Sequence, residues 1–416
     1  MAEMGQIAGI VKKLDGLAYQ IVTASHVRPF PPLFRAARGL PDLMTRRTTD
    51  ILIVGGGMAG YSLAAALEGR ARVMLIEQED QPGYHATGRS VAFWQETYGG
   101  PLVQPLTSVS GPMLSAPDPA LSDHPLLAPR GAIHIGRSGD TLRAQSMQAD
   151  YPNVGLTPLT RQDLEAVLPG LRSDWSTGLA EPSCTDIDVS GLFDGYRRMA
   201  RHHEVEICLS TRFISARRHG EGWQVETTSG TIDCALLVNA AGAWADPVAI
   251  AAGLAPLGIT PLRRTVVQLR CPDAPADFPL IEDLAGNFYF KPGGPGRIWL
   301  TPHDESPDEP QDVVPDELDV AIAIDRFEQV VDWRIEAVER KWAGLRSFAP
   351  DRLPVYGFDP EVPGFFWFAG QGGFGMQTAP AAALIGAALL LGNALPEPVS
   401  AIDARVYAPD RPSLKQ

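Results

Sequence analysis

Cysteine is scarce in this 416-residue chain, whose four thiols, Cys184, Cys208, Cys234 and Cys271, stand far apart with no CxxC pair. That spacing argues against a disulfide framework or a cysteine-based zinc site and fits reduced thiols in a cytoplasmic protein. Positive charge is also short. Lys and Arg number 35 against 49 Asp and Glu, a formal net charge of −14, and no basic patch stands out. Nucleic acid and anionic lipid are therefore not expected partners. Long apolar runs are missing as well: the longest, 381–391, is shorter than the roughly 20 residues of a membrane-spanning helix. With 45% hydrophobic residues the chain can still bury a large core, and at roughly 100 to 200 residues per domain it should form two or three units. Residues 1–43 mix charges with "PFPPLF" and "GLPDL" and lack the apolar core of a signal peptide. They are read as an extension, disordered or arising from a misassigned start, with Met44 as the natural beginning of a domain.

The stretch "DILIVGGGMAGYSLAAALEGRARVMLIE" offers an apolar run, a glycine turn, an alanine-rich helix and a second apolar run that ends in Glu77. This is a βαβ pattern. Gly55, Gly57 and Gly60 form G-x-G-x-x-G between strand and helix. The first permits the tight turn, the second lets the backbone approach a pyrophosphate and the third lets helix pack on strand. The helix N-terminus attracts the phosphate charge, and Glu77 would accept hydrogen bonds from ribose hydroxyls. Two further strand, glycine, helix units follow near residues 240 and 371. "GWQVETTSGTIDC" reads as two strands joined at Ser229-Gly230, ahead of a buried strand Ala235 to Asn239. The expected architecture is α/β: one Rossmann-like nucleotide domain assembled from separated segments and an interleaved α+β domain with a mixed sheet.

The polar segment "GYHATGRSVAFWQETYGG", 83–100, decides between dinucleotides. An NAD site does not need such an excursion after the acidic strand, whereas FAD requires a second lining segment for its ribityl chain and ring. Thr87 and Ser90 offer hydroxyls, Gly88 a flexible backbone and Arg89 a cation; the plainer alternative is a turn and a solvated loop. At the other end, "GQGGFGMQT" places Gly372, Gly373 and Gly375 around a helix start expected after Phe374, where the helix N-terminus would favour the charge of a reduced flavin. These glycines could also serve only to turn the chain.

Two arginines stand in apolar surroundings. Arg346 in "WAGLRSF" and Arg264 in "PLRRTVV" are the candidates for a fork that grips a carboxylate, against an internal salt bridge for Arg346 and a solvated edge charge for Arg264. Arg263 should point the other way on its strand.

From Asp50 to about Leu391 the chain resembles the FAD-dependent amino-acid oxidoreductases of the D-amino-acid oxidase and glycine oxidase (DAO) superfamily, most closely the D-arginine and D-amino-acid dehydrogenases. The resemblance is carried by "VGGGMAG", "QPGYHATGRS", "ETYG", "HPLLAPR", "LVNAAGAWAD", "PLRRT", "FYFKP", "WAGLRSF" and "GQGGFGMQT". It implies a discontinuous FAD-binding domain (44–122, 180–240 and 343–416) and a substrate-binding domain (123–179 and 241–342). It also implies that Met58, Ala59, Gln78, Val91, Ala92, Phe213 (by its backbone at the adenine), Ala241, Gly242, Trp244, Gly344, Met376, Gln377 and Thr378 join the residues above in holding FAD, without a covalent bond. Arg264 and Arg346 become carboxylate ligands, Tyr98 and Tyr289 line the substrate cavity, and the Gly373 carbonyl accepts from the substrate amine. The implied activity is oxidation of an amino acid, a neutral or hydrophobic D-amino acid, to an imino acid by hydride transfer to flavin N5, then hydrolysis to a 2-oxo acid and ammonia. Oxidation of a 2-hydroxy acid or of an N-methyl or glycine-type amino acid, or a non-catalytic flavin sensor, are the alternatives; the electron acceptor, quinone or oxygen, stays open. Two departures bear on specificity. Gly131-Ala132 stands where arginine-specific relatives carry an acid, and Phe93 replaces a histidine near the ring edge, which points to neutral or hydrophobic substrates. His85 lies in an "HAxG" context that tethers FAD covalently in some relatives, though not in those with "GYH".

Overall fold

The computed structural model describes residues 46–415; the expectations for residues 1–43 and for Met44 lie outside them. Two large sheets organise the chain. The first has eight strands, and at its centre Arg47–Val54 lies parallel to both Val73–Ile76 and Gly230–Asn239. Residues 51–54 and 73–76 are buried throughout, as expected for parallel strands covered on both faces. The helices Met58–Ala66 and Ala379–Leu390 pack on one side. Both are apolar almost all round, the mark of a buried helix. Their approach is close: a Cβ at Gly386 would come within 2.9 Å of Leu63 and 2.7 Å of the Phe368 ring.

Gly230–Asn239 is a single strand, where the sequence suggested two. Its first half pairs with Gly222–Thr227 in a hairpin and its second half with Phe365–Ala369, so the change of partner, not a break in the backbone, produces the change in sequence character. The turn before it is Thr228-Ser229, one residue earlier than expected.

The second sheet is mixed and has nine strands. Side chains alternate across it. On one face Ile133, Ile135, Val267, Leu269, Ile281, Phe290, Ile298 and Leu300 pack against the helix Glu317–Glu328 through Val320, Ala323, Ile324 and Phe327. The opposite face carries Arg264, Tyr289, Glu282, His134 and Arg346, as the strand registers require: Tyr289 opposes Glu282, Glu282 opposes His134, and Arg346 opposes Leu262, two residues before Arg264. The strands Trp175–Glu181 and Ala337–Phe348 each run as one unit across the expected boundaries at 180 and 343. The helix Ala245–Ala251, expected in the substrate domain, instead contributes Ala245, Val248 and Ala249 to the core of the first sheet.

Candidate active site

A cavity of about 490 Å³ runs from the glycine turn after Val54, past Glu77, to the polar face of the second sheet at Arg264, Tyr289 and Arg346. The sequence builds each wall locally. Gly55 adopts φ +113, and a Cβ there would lie 2.4 Å from the Ala240 carbonyl oxygen, so the first and second glycine units touch directly. Gly60 packs just as closely, its would-be Cβ 2.0 Å from the Gly55 carbonyl oxygen. The Glu77 carboxylate accepts from the amides of Gly56 (2.7 Å) and Glu79 (2.9 Å), which fixes it beside the turn. The Thr87 hydroxyl accepts from the Met58 amide at 3.0 Å, bringing the polar excursion onto the helix N-terminus.

Of the residues singled out from the sequence, Gly55, Gly57, Met58, Ala59, Glu77, Gln78, Thr87, Arg89, Ser90, Val91, Phe213, Ala241, Gly242, Trp244, Arg264, Tyr289, Gly344, Arg346, Gly372, Gly373, Gly375 and Met376 line this cavity. Ala92, Tyr98 and Gln377 line a small side pocket of about 20 Å³ that shares Tyr289, Arg346 and Gly373 with it. Gly60, Gly88, Phe374 and Thr378 line neither. They build the frame instead: Phe374 packs with Val103 and Phe348, the Thr378 hydroxyl donates to the Phe374 carbonyl, and Gly88 closes a turn onto the Gly83 carbonyl. The helix expected after Phe374 begins only at Ala379, because Pro380 suits a first helical turn and residues 372–378 form turns before it. Arg89 also departs from expectation. Its guanidinium donates to the Val313 and Ala343 carbonyls and pairs with Asp312, so its charge ties down the segment around residues 312–313 and is already partnered. Thr211, Arg212, Gln311, Val313 and Gln371 line the cavity unforeseen. They sit in loops without periodicity, and only Gln371 falls within a motif, "GQGGFGMQT", whose signal lies in its glycines.

The far end of the cavity is cationic. Arg264 is 4% exposed; its Nε donates to the Asp304 carbonyl at 2.9 Å and its Nη2 to Glu305 at 3.1 Å. Its buried Nη1 has no hydrogen-bond partner among the described residues. Burial, with the Arg346 guanidinium nearby, lowers its pKa to about 10, so it stays charged at neutral pH. Arg346 is half-buried. Burial opposes its charge, but the Tyr98 and Tyr289 phenols outweigh that and the net shift is upward. Its Nη1 donates to the Tyr98 hydroxyl at 2.6 Å. Burial raises the Tyr289 phenol as well. The two guanidiniums share one sheet face, and the buried one keeps an N–H without a partner among the described residues, an arrangement whose planar forks could take a carboxylate. Arg263 turns away, to Asp308 and Asp319.

The wall beyond is apolar. Phe93 meets Tyr98 and Tyr289 edge-on at centroid distances of 5.4 and 5.5 Å, and Ala132, Cys184 and Leu280 close the cluster behind them. His85 donates through Nε2 to the Glu79 carboxylate at 2.9 Å and rests against Trp244. Among the described residues no group of His, Cys, Asp and Glu is arranged to hold a metal ion, and no helix is long and apolar enough to cross a membrane.

A sequence profile of the FAD dependent oxidoreductases, DAO, matches residues 50–389. The chain is 26% identical over 399 residues to the FAD-dependent oxidoreductase domain-containing protein 1 of Bos taurus, covering 80% of this chain and 79% of that one. In fold it is similar to glycine oxidase from Geobacillus kaustophilus, with TM-score 0.76, 21% identity and coverage of 88% and 99%. It is also similar to L-proline dehydrogenase from P. horikoshii, with TM-score 0.74, 20% identity and coverage of 88% and 98%.

Proposed function

The chain belongs to the DAO family of FAD-dependent oxidoreductases, and from that premise we propose that it oxidises the carbon–nitrogen bond of a small, uncharged amino acid whose carboxylate is gripped by Arg264 and Arg346. FAD is the cofactor, and the residues present suit it: the glycine turn and helix N-terminus at 55–58 for the pyrophosphate, Glu77 for the ribose, and residues 87–91 and 372–376 along the remainder. Non-covalent binding fits the tie between His85 Nε2 and Glu79. The observation that carries the substrate reading is the buried Nη1 of Arg264, without a partner among the described residues and on the same sheet face as Arg346, since a guanidinium left so in a protein interior is costly unless an anion completes it.

When bound, FAD supplies a two-electron acceptor for the hydrogen and its bonding pair that leave the substrate Cα. Arg264 and Arg346 hold the carboxylate, Tyr98 orients Arg346 through its hydroxyl, Tyr289 and Phe93 shape the wall, and the Gly373 carbonyl accepts from the amine. None of these groups is a base at neutral pH, so the ammonium loses its proton to water before the Cα–H bond breaks. The nitrogen lone pair then forms the C=N bond of an imino acid, which water converts to a 2-oxo acid and an amine or ammonia.

The Phe93 ring in the side pocket, backed by the buried Ala132 and Leu280, disfavours the cationic side chain of arginine. A neutral D-amino acid is one substrate form. The 20 Å³ of the side pocket favours a second, a glycine-type or N-methyl amino acid, and the likeness in fold to a glycine oxidase supports it. Anaerobic bleaching of the yellow holoenzyme, screened over both enantiomers, glycine, sarcosine and proline, tests the reading. Bleaching by at least one of them is expected; a flavin that stays oxidised with all of them, and with 2-hydroxy acids, would indicate a binder without turnover.

Gly373 gives a local check. A Cβ there would lie 2.3 Å from the Tyr98 hydroxyl and 2.8 Å from Arg346 Nη1. Gly373→Ala should therefore displace the clamp and lower kcat/KM roughly 100-fold in steady-state assays, with FAD retained.

A further inference from the structure

A second group of ionisable side chains lies on the same sheet face, one row beyond Tyr289, outside the cavity lining. Glu181 at the end of its strand is 0% exposed. One of its oxygens, Oε1, accepts from the backbone amides of Glu96 (3.1 Å) and Thr97 (3.4 Å). The other, Oε2, accepts from the Thr97 hydroxyl (2.6 Å) and the Gln95 amide (3.0 Å) and meets His134 Nε2 at 3.0 Å. Glu282 approaches the same ring at Nδ1, 3.4 Å away, and accepts from Gln95 at 2.6 Å. With a carboxylate at each ring nitrogen, both nitrogens can donate only if His134 is an imidazolium, and burial of Glu282 raises its pKa.

Two buried carboxylates and a histidine are a costly way to fill space that apolar residues would fill more stably. What this group achieves is specific placement of residues 95–98, which lie between the short strand Phe93–Trp94 and the helix Gln104–Ser115. Glu181 fixes two successive amides of this segment. Gln377 accepts from the Gln95 amide and donates to the Tyr98 carbonyl, and the Tyr151 hydroxyl donates to the Thr97 carbonyl. The segment ends in Tyr98, whose hydroxyl receives Arg346 Nη1.

We propose that Glu181, held by His134 and Glu282, is a positioning residue for substrate binding: it sets the 95–98 backbone so that Tyr98 keeps the Arg346 guanidinium aimed at the substrate carboxylate. The inference rests on the carboxylate-clamp reading above. Glu181 touches neither substrate nor cofactor and acts through Tyr98.

A double-mutant cycle on the holoenzyme tests this. The probes are acetate, followed by its perturbation of the flavin spectrum, and the amino acid that bleaches fastest. Glu181→Gln should weaken acetate binding and raise KM by about 10-fold, with kcat changed less than about 3-fold. In a Tyr98→Phe background the same change should add less than about 2-fold, because the path to Arg346 is already cut. Thr97→Val, which removes one hydroxyl contact to Glu181 and places no new polar group, should follow the same pattern at about 3-fold, and it carries the cycle if Glu181→Gln does not yield folded holoenzyme. Equal effects in both backgrounds, or a fall in kcat without a rise in KM, would overturn the inference alone. A wild-type flavin that responds neither to acetate nor to any amino acid would overturn the clamp reading, and this inference with it.

Discussion

Replacing Arg264 and Arg346 together by methionine should lower kcat/KM roughly 1,000-fold, the loss expected when two charge-assisted contacts worth about 2 kcal/mol each disappear. The protein should stay yellow. Arg346 opposes Leu262 on the neighbouring strand and Arg264 opposes Gly344, so both arginines belong to the second sheet, while the glycine turn, Glu77 and Thr87, proposed to hold the cofactor, lie elsewhere. Stability should change little or rise. Removing Arg264 leaves Glu305 with Arg352 as its partner, and removing both guanidiniums relieves the repulsion of two like charges, one of them buried, for which methionine is an apolar substitute of similar length. Each single change should cost activity too, in KM more than in kcat. Steady-state kinetics, flavin content and thermal melting read all three quantities. An activity loss under 10-fold, with the flavin in place, would sink the clamp.

Gly55→Ala should have the opposite signature: little soluble protein, and what survives colourless. The position combines φ +113, which disfavours any Cβ, with a contact of 2.4 Å to the Ala240 carbonyl oxygen and 2.8 Å to its carbon. Both are backbone atoms of a central strand end that cannot retreat without opening the cavity. Strain and overpacking together should exceed about 3 kcal/mol. Gly242→Ala is the matched control. Its φ is +54, but nothing among the described residues lies within 4 Å of the added methyl, so the cost should stay near the roughly 1 kcal/mol of a left-handed alanine. Comparable loss of FAD and stability in both variants would show that conformation, not contact, decides at Gly55.

Much of this was legible without coordinates. A strand buried on both faces must be a continuous apolar run, a pyrophosphate site must spare its Cβ atoms, and a guanidinium amid Leu, Phe and Trp must have a reason to be there; Ile51 to Val54, Gly55 to Gly60 and Arg346 therefore announce themselves. Arg264 was less distinct, since Arg263 beside it has the same composition of neighbours. Strand alternation separates the two, and only the register with Ala337–Phe348 shows which face is the cavity.

Local chemistry thus determined the glycine turns, the acidic strand end and the candidate arginines, because each depends on a few consecutive residues and on backbone sterics. Tertiary structure alone decided that Arg89 spends its charge on Asp312, that Phe374 and Thr378 support the cavity without lining it, and that Glu181 reaches back 85 positions to the amide of Glu96. A side chain's hydrogen-bond partner is whichever group the packed sheets bring within about 3 Å, and separation along the chain carries no record of that distance.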